Sequence, residues 1–265
     1  MLVPNETVVV IGGGPAGLQA ARSVADLGAR AVLVEKQGFL GGTPIAQRYA
    51  ALTPDLRDAE TAMREMIDAV ERHPLVEVRL NSEVTACEGT AGDFRLKVSG
   101  PDGKEEVVPA GAVIVATGFE HFDPGRERQV FSYYELEDVI TLVDAEAMFK
   151  EGKIVRPSDG RVPERVCFIQ CVGSRDRGIG NQWCSKVCCG IACKQAIEIK
   201  KLSPSTKVFV FYIDLRAFGF WEDELYWKAQ EEYKVNFIRG VVTEVLKKGD
   251  RLLVKGEDTT MGRPV

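Results

Sequence analysis

Apolar positions come in two rhythms along the chain: short β-branched runs that read as buried parallel strands, and longer stretches with helical spacing. The first run, Thr7 to Ile11, gives way to Gly-Gly-Gly-Pro-Ala-Gly and then to an alanine-rich helix ending at Leu27-Gly28. Ala31 to Val34 repeats the strand pattern and ends on Glu35, completing a βαβ unit of about 30 residues. Thr53-Pro54-Asp55 supplies an N-cap, a proline at the first helical position and a first-turn acid. Leu56, Ala59, Met63, Met66, Ile67 and Val70 follow at helical spacing. From Val76 to Val108 the period falls to two, with Phe94 to Val98 as a clear strand and Gly100-Pro101-Asp102-Gly103 as a turn. An antiparallel β-ribbon inserted in a parallel-sheet domain is therefore expected. Ala112 to Ala116 returns to the fully apolar pattern and runs into Thr117-Gly118.

Residues 119–164 are mixed, with a helix expected around Ser132 to Phe149 and a domain boundary at the turn-rich Arg156-Pro157-Ser158-Asp159-Gly160. A second α/β rhythm follows: strand Val166 to Gln170, a helix through a cysteine cluster to about Lys201, and strand Val208 to Asp214. A helix over about Glu222 to Tyr233, strand Val235 to Ile238 and a hairpin through Leu253 complete it. The pattern predicts an α/β fold of two Rossmann-like dinucleotide-binding domains, over residues 1–122 and 161–265, with a helix-bearing linker over 123–160.

Composition narrows the function classes. A formal charge of -5 gives no basic footprint for phosphate backbones, so nucleic acid is not an expected partner. No run approaches the roughly 18 apolar residues of a membrane span, and Met1 to Asn5 has neither the basic region nor the apolar core of a signal peptide. The chain reads as cytoplasmic.

Gly12-x-Gly14-x-x-Gly17 lies between a strand and a helix, the context that gives this short pattern meaning. Gly12 permits the tight turn, Gly14 lets backbone approach a pyrophosphate, and Gly17 allows close helix packing, while the helix N-terminus offers free N–H groups to an anion. Glu35, eighteen residues beyond Gly17, is placed to accept hydrogen bonds from a ribose diol. A P-loop is excluded because no Gly-Lys-Ser/Thr follows. Gly41-Gly42, the inserted ribbon and Ala116-Thr117-Gly118 together resemble the flavoproteins with two dinucleotide-binding domains, in which these segments line FAD. The expected FAD-binding set is Gly12, Gly14, Pro15, Ala16, Gly17, Glu35, Lys36, Gly41, Gly42, Thr43, Val84, Ala116, Thr117 and Gly118.

Six of the seven cysteines (Cys167, Cys171, Cys184, Cys188, Cys189 and Cys193) fall within 27 residues, with only Cys87 elsewhere. Such crowding in a cytosolic-type chain points to metal or redox chemistry. Cys171-x12-Cys184-x3-Cys188-Cys189 starts at a strand end and closes in the first turns of a helix. Cys184 and Cys188, one helical turn apart, would face one site, with Cys189 on the adjacent flank. These residues occupy the strand-to-helix turn where a nicotinamide dinucleotide would need glycines. Iron–sulfur ligation, zinc and inert buried thiols all remain open on spacing alone. Cys167 and Cys87 read as packing residues and Cys193 as a spare thiol.

With these residues in place, the sequence resembles the A-type subunits of heterodisulfide reductases and their short relatives. Ile154 to Phe218 carries the resemblance most specifically: Arg156-Pro157-Ser158-Asp159-Gly160, Cys167-Phe168-Ile169-Gln170-Cys171-Val172-Gly173-Ser174-Arg175-Asp176, Cys184-Ser185-Lys186-Val187-Cys188-Cys189 and Tyr212-Ile213-Asp214-Leu215-Arg216-Ala217-Phe218-Gly219. It implies a 4Fe-4S cluster on Cys171, Cys184, Cys188 and Cys189 near the flavin, and a catalytic cation, Lys194, at the reactive edge of the isoalloxazine. It also implies B- and C-type partner subunits with an electron carrier, and allows a homodimer. Long members carry an inserted ferredoxin module with further cysteines. Gly42 to Val84 here has none, which resembles the compact form of sulfur-oxidising systems and of membrane-associated relatives in sulfate reducers; Thr43-Pro44-Ile45 fits the sulfur-oxidising group. The sequence ends at Val265 before the return strand that would close a flavin domain, so further residues or another chain are expected to complete that site.

The function these readings lead to is an electron-transferring flavo-iron–sulfur oxidoreductase subunit. The alternatives are an NAD(P)H-dependent disulfide reductase, opposed by the absence of a Cys-x2-Cys or Cys-x4-Cys pair beside the flavin, and a zinc-stabilised flavoprotein scaffold. His73 and His121 fit no catalytic triad or metal pattern. Phe218, Phe220, Trp221, Tyr226 and Trp227 form an aromatic strip that serves either core packing or a subunit interface.

Overall fold

The computed structural model describes residues 6–125, 130–219 and 221–265; Met1 to Asn5 and Phe220 lie outside the described residues. The chain divides into two compact units, residues 6–51 with 57–120, and 52–56 with 121–265.

In the first unit, β1 (Val8–Ile11), α1 (Pro15–Asp26) and β2 (Ala31–Val34) form the expected βαβ motif. β3 (Val76–Arg79) and β7 (Ala112–Val115) extend it into a parallel sheet of order β3-β2-β1-β7, with Val8 opposite both Ala31 and Ala112. Val9 and Val10 are both fully buried, so the central strand is covered on both faces, which is why it carries an unbroken apolar run. α1 packs against α3 (Ala59–Glu71), burying Leu18, Ala21, Met63 and Val70. Val9, Val32 and Val34 pack against Leu96, Val98, Val108 and Ala110 of an antiparallel three-stranded sheet. That sheet is β4 (Glu83–Thr90), β5 (Asp93–Ser99) and β6 (Glu105–Ala110). The ribbon is thus present, but it starts at Glu83. Val76 to Arg79 belongs to the parallel sheet, where pairing to β2 outweighs its local period-two pattern.

Two helix starts differ from expectation. α3 is capped by Asp58, which accepts from the Thr61 N–H at 2.8 Å, and not by Thr53, because Leu56 has a left-handed φ of 58° that no α-helix accommodates. A short helix, α2 (Gly42–Ala46), follows β2 and was not anticipated.

The second unit holds a five-stranded sheet. β8 (Arg165–Ile169), β9 (Lys207–Tyr212) and the start of β10 (Asn236–Lys248) run parallel, with Val166 opposite Val208 and Asn236 opposite Phe209. β11 (Arg251–Asp258) and β12 (Arg263–Pro264) add antiparallel. β10 serves both halves: Asn236 to Arg239 pair with β9, and Gly240 to Lys248 with β11. α5 (Cys188–Leu202) connects β8 to β9, and a π-helical turn (Glu222–Trp227) running into α6 (Lys228–Glu231) connects β9 to β10. A βαβαβ pattern is therefore repeated, and the α/β fold class with Rossmann-like units stands.

Only α4 (Leu142–Lys150) of the helix expected over Ser132 to Phe149 is helical, opened by a capping box between Thr141 and Asp144. Ser132 and Tyr134 have left-handed φ values of 59° and 70°, which keeps the earlier residues out of it. The stretch 121–160 groups with the second unit. Leu136 and Val139 pack onto the Phe211, Val242 and Val245 core, and Arg156 pairs with Asp138 at 3.2 Å while donating to the Asp250 carbonyl at 2.7 Å. The Arg156 to Gly160 motif is thus a clasp: Ser158 also donates to Asp138 through its N–H (3.0 Å) and hydroxyl (2.8 Å).

Candidate functional site

The first unit builds a glycine turn from close backbone approaches. Gly12 has a φ of 108°, and a Cβ there would lie 2.3 Å from the Ala116 carbonyl oxygen; a Cβ on Gly17 would lie 1.7 Å from the Gly12 carbonyl. The turn, α1 and the end of β7 are therefore locked together, with the Ala116 N–H donating to Ile11 at 2.8 Å. Gly14, by contrast, has only Gly42 Cα nearby at 3.9 Å, so backbone is open there. Gly14 is the N-cap of α1 and makes no side-chain cap, Pro15 fills the first helical position without a donor, and the first turn has no acid. The Ala16 and Gly17 amides are left for an external anion.

Gly41 donates to the Gly13 carbonyl at 2.8 Å, which draws Gly41, Gly42 and Thr43 against the fingerprint. Glu35 is buried and accepts from the Gly13 N–H at 2.5 Å and the Gln37 N–H at 2.7 Å. Gly13 was not singled out from the sequence; the run of three glycines was its only signal. Val84 packs against the ribbon core, whereas Lys36, Thr117 and Gly118 are exposed. The first unit thus brings together the fingerprint, Glu35, Gly41–Thr43 and Ala116.

In the second unit the corresponding strand-to-helix turn, residues 170–187, is long, and its chemistry is sulfur. Cys171 has a left-handed φ of 62°, Arg175 of 58° and Lys186 of 61°. Between them the chain makes a closed excursion. The Arg175 N–H donates to the Trp183 carbonyl (3.1 Å), the Asp176 N–H to the Asn181 carbonyl (2.9 Å), and the Asn181 amide to the Gly173 carbonyl (3.0 Å). This returns Cys184 toward Cys171, and it is the physical content of the twelve-residue spacing. Cys184 is not in the helix as the one-turn argument required. α5 begins at Cys188, since the left-handed Lys186 interrupts any earlier helix and turns its N–H onto the Cys184 sulfur at 3.3 Å.

Cys171, Cys188 and Cys189 hydrogen-bond through their side chains. Cys188 receives the Cys171 and Cys189 thiols, and these hold it well below the ordinary thiol range. Its two donors are pushed well above the ordinary thiol range, each first by its bond to Cys188 and then by burial. The Cys184 charge also acts on Cys171, and the Arg175 guanidinium opposes the rise. Arg175 is anchored on Asp214 at 2.7 Å, and the Cys189 sulfur lies 3.7 Å from the Asp214 carbonyl, which explains Asp214 in the sequence motif. All seven cysteines are free thiols. Among the described residues no group of three or more histidine, cysteine or acidic side chains is set to hold a single metal ion. Four thiols on one loop and helix start are nevertheless the donor set that a four-iron cluster takes.

Cys193 is buried and Cys167 partly buried, and desolvation pushes each thiol up to about 12, as suits packing residues; Cys87 is exposed instead. Lys194 is 3% exposed and paired with Glu146 at 2.6 Å, so it is no solvated helix lysine. The aromatic strip divides. Tyr226 packs edge-on to Phe237 and Trp221 covers Gly190, while Phe218 is 68% exposed. Trp183, 83% exposed beside Cys184, was missed.

Residues 6–156 match the family model for pyridine nucleotide-disulphide oxidoreductases. The second A-type iron-sulfur subunit of the CoB–CoM heterodisulfide reductase of Methanopyrus kandleri is 30% identical over 340 aligned positions, covering 97% of this chain and 51% of that protein. The A-type subunit of the H2:CoB–CoM heterodisulfide,ferredoxin reductase of Methanothermobacter marburgensis is 30% identical, with 98% and 51% covered. The chain spans about half the length of these relatives, and an alignment longer than the chain leaves parts of them without counterpart here. Among solved structures, Lactococcus lactis thioredoxin reductase superposes with a TM-score of 0.55 at 19% identity over 98% of this chain and 73% of that one, a likeness of fold. Among the described residues no helix is long and apolar enough to cross a membrane. The chain belongs to the pyridine nucleotide-disulphide oxidoreductase family and is similar along nearly its whole length to the A-type subunits of heterodisulfide reductases.

Proposed function

We propose that this chain is the FAD- and 4Fe-4S-bearing electron-transfer subunit of a cytoplasmic heterodisulfide-reductase-like complex in sulfur or disulfide redox metabolism. The observation that carries this reading is the mutual contact of the Cys171, Cys188 and Cys189 sulfurs, with Cys184 within electrostatic reach, at the turn where a dinucleotide fold otherwise presents glycines. FAD and the cluster supply two-electron and one-electron redox chemistry when bound. The chain's residues do the rest. Residues 1–122 hold the flavin: the Ala16 and Gly17 amides take its pyrophosphate beside Gly12 and Gly14, Glu35 receives the ribose, and Pro15, Lys36, Gly41, Gly42, Thr43, Val84, Ala116, Thr117 and Gly118 line the remainder. Residues 161–265 hold the cluster on the four cysteines, and Lys194 is the cation this reading assigns to the flavin's reactive edge, its charge offset by Glu146 and Glu198. Partners are B- and C-type subunits and an electron carrier.

The test is an anaerobic absorption spectrum of the purified protein with iron, acid-labile sulfide and zinc analysis, repeated for Cys184→Ala and Cys193→Ala. Flavin plus about four irons per chain, lost in Cys184→Ala and kept in Cys193→Ala, is the expected result. Zinc, or no metal, sinks the cluster assignment. Bleaching of the flavin by NADH in the isolated chain would favour a self-contained NAD(P)H-dependent reductase instead.

A further inference from the structure

Behind the thiol site, α5 carries a charged cluster that a helix interior rarely tolerates. Lys194 is 3% exposed, Glu146 on α4 is 2% exposed, and the Glu198 side chain is 12% exposed. The Lys194 ammonium lies 2.6 Å from Glu146 Oε1 and 3.7 Å from Glu198 Oε2. Gln195, fully buried, donates from its amide to Glu146 Oε1 at 2.7 Å and to the Leu142 carbonyl at 2.8 Å.

The two carboxylates are held unequally. Glu146 Oε1 receives both Lys194 and Gln195, whereas Glu198 Oε2 is buried without a hydrogen-bond donor, as is Gln195 Oε1. Two carboxylates against one ammonium leave a net negative charge away from water, which a low-dielectric site resists. One added proton removes that charge and turns an orphaned acceptor into a donor. Glu198 is the carboxylate with the weaker hold on Lys194, so the proton belongs there.

We propose that Glu146, Lys194 and Glu198 form a proton-binding site, in which Glu198 exchanges one proton with solvent and Glu146 is the residue that positions Lys194. The exchange is a plain acid–base step: the Glu198 O–H bond breaks, the proton passes to water, and no electrons move. Burial raises the Glu198 carboxyl to about 7, with Lys194 opposing the rise, Glu146 adding to it and Lys201 opposing it. Glu146 also faces His121, itself lowered by burial. On the other elements packed against α5, the charged side chains are Glu222, Asp223 and Glu224 of the π-helical turn, Lys228 and Glu231 of α6, and Lys207 of β9; Glu222, Asp223, Glu231 and Lys207 are exposed. Below the transition the cluster is neutral, and above it carries one negative charge. Resting on the function proposed above, in which Lys194 is the cation beside the flavin, this proton sets whether Lys194 faces one carboxylate or two.

Infrared difference spectroscopy on the flavin-loaded chain, stepped across neutrality, tests it. A protonated-carboxyl carbonyl band should vanish with a midpoint of about 7 and be missing in Glu198→Gln. Glu146→Gln leaves one ammonium for one carboxylate, so the midpoint should fall by ~1 pH unit or more, a tenfold loss of proton affinity. The absence of any such band, its persistence in Glu198→Gln, or an unmoved midpoint in Glu146→Gln overturns the proposal. If circular dichroism shows Glu198→Gln unfolded, the Glu146→Gln midpoint decides alone. The visible spectrum of the same samples reads flavin content separately, so a chain without flavin would defeat the cofactor assignment while the infrared titration still judges the proton site.

Discussion

The two units solve the same problem, a strand running into a helix whose first amides point at an anion, with opposite means. In the first unit the turn from β1 to α1 is three residues long, built of glycine, and closed by contacts of Gly13 to Glu35 and Gly41. In the second the turn from β8 to α5 is eighteen residues long, and the acidic group at the helix start is part of the chain: Cys188, held below the ordinary thiol range by its two thiol donors, is the first residue of α5. A helix N-terminus stabilises a phosphate or a thiolate by the same dipole and free N–H groups. A site for a removable anion must stay open and thin; a site that carries its own thiolates needs length to bring distant sulfurs together, and that length must be tied down by polar pairs.

The largest expected effect breaks the first turn. Gly17→Ala places a methyl 1.7 Å from a backbone carbonyl, which cannot move aside as a flexible side chain would. A loss of at least ~3 kcal/mol is expected, with no flavin retained. Gly14→Ala meets nothing closer than 3.9 Å, and its cost should be about 1 kcal/mol or less, that of alanine at an N-cap. It should nevertheless lose flavin if the pyrophosphate lies against Gly14. Denaturant midpoints and flavin content separate the two. Equal destabilisation by both would mean that Gly14, too, is a packing glycine.

The same contrast explains what could be read from residues alone. β1, α1 and β2 are legible because their signals, β-branched runs and close glycines, act within a few positions. Asp58 and Thr53 are both good N-caps, and nothing local says that Leu56 turns left-handed and hands the role to Asp58. The cysteine spacing marks the ligand candidates. The excursion that gathers them depends on left-handed Cys171, Arg175 and Lys186, residue types with no preference for that conformation. The burial of Lys194 is not legible in the sequence, because its partner Glu146 lies 48 residues away on another helix.

A middle-sized effect is expected at the clasp of the second unit. Arg156→Ala removes the bond to Asp138 and the one to the Asp250 carbonyl, for a loss of about 1.5–3 kcal/mol at neutral pH. Burial pushes the Asp138 carboxyl up, but the Ser158 N–H and hydroxyl and then Arg156 pull it further down, to a net lowered value. A lowered native pKa contributes stability that is complete above the unfolded aspartate value of about 3.9 and is lost as pH falls through the native one. The wild-type advantage over Arg156→Ala in urea midpoint should therefore shrink on the acid side of that value. A gap that stays constant with pH would show that Arg156 acts through Asp250 and packing alone.

The smallest effect bears most directly on why the second turn is long. Asn181→Ala deletes one exposed side-chain bond, to the Gly173 carbonyl, and leaves the Asp176–Asn181 backbone pair in place. An exposed hydrogen bond of this kind contributes about 0.5–1 kcal/mol, so the melting temperature should move by no more than a few degrees. The site should respond more than the fold does, because the excursion's closure is what keeps Cys184 beside Cys171. If the chain holds the proposed cluster, iron should leave to a chelator several-fold faster in Asn181→Ala, whereas Thr243→Ala, which removes the exposed 3.3 Å bond to the Lys255 carbonyl on the β10–β11 hairpin, should leave that rate unchanged. Equal rates in both variants would place the hold on Cys184 elsewhere, in the Arg175–Trp183 pair or in the Lys186 amide on its sulfur, and the first of these would then be the bond to break next.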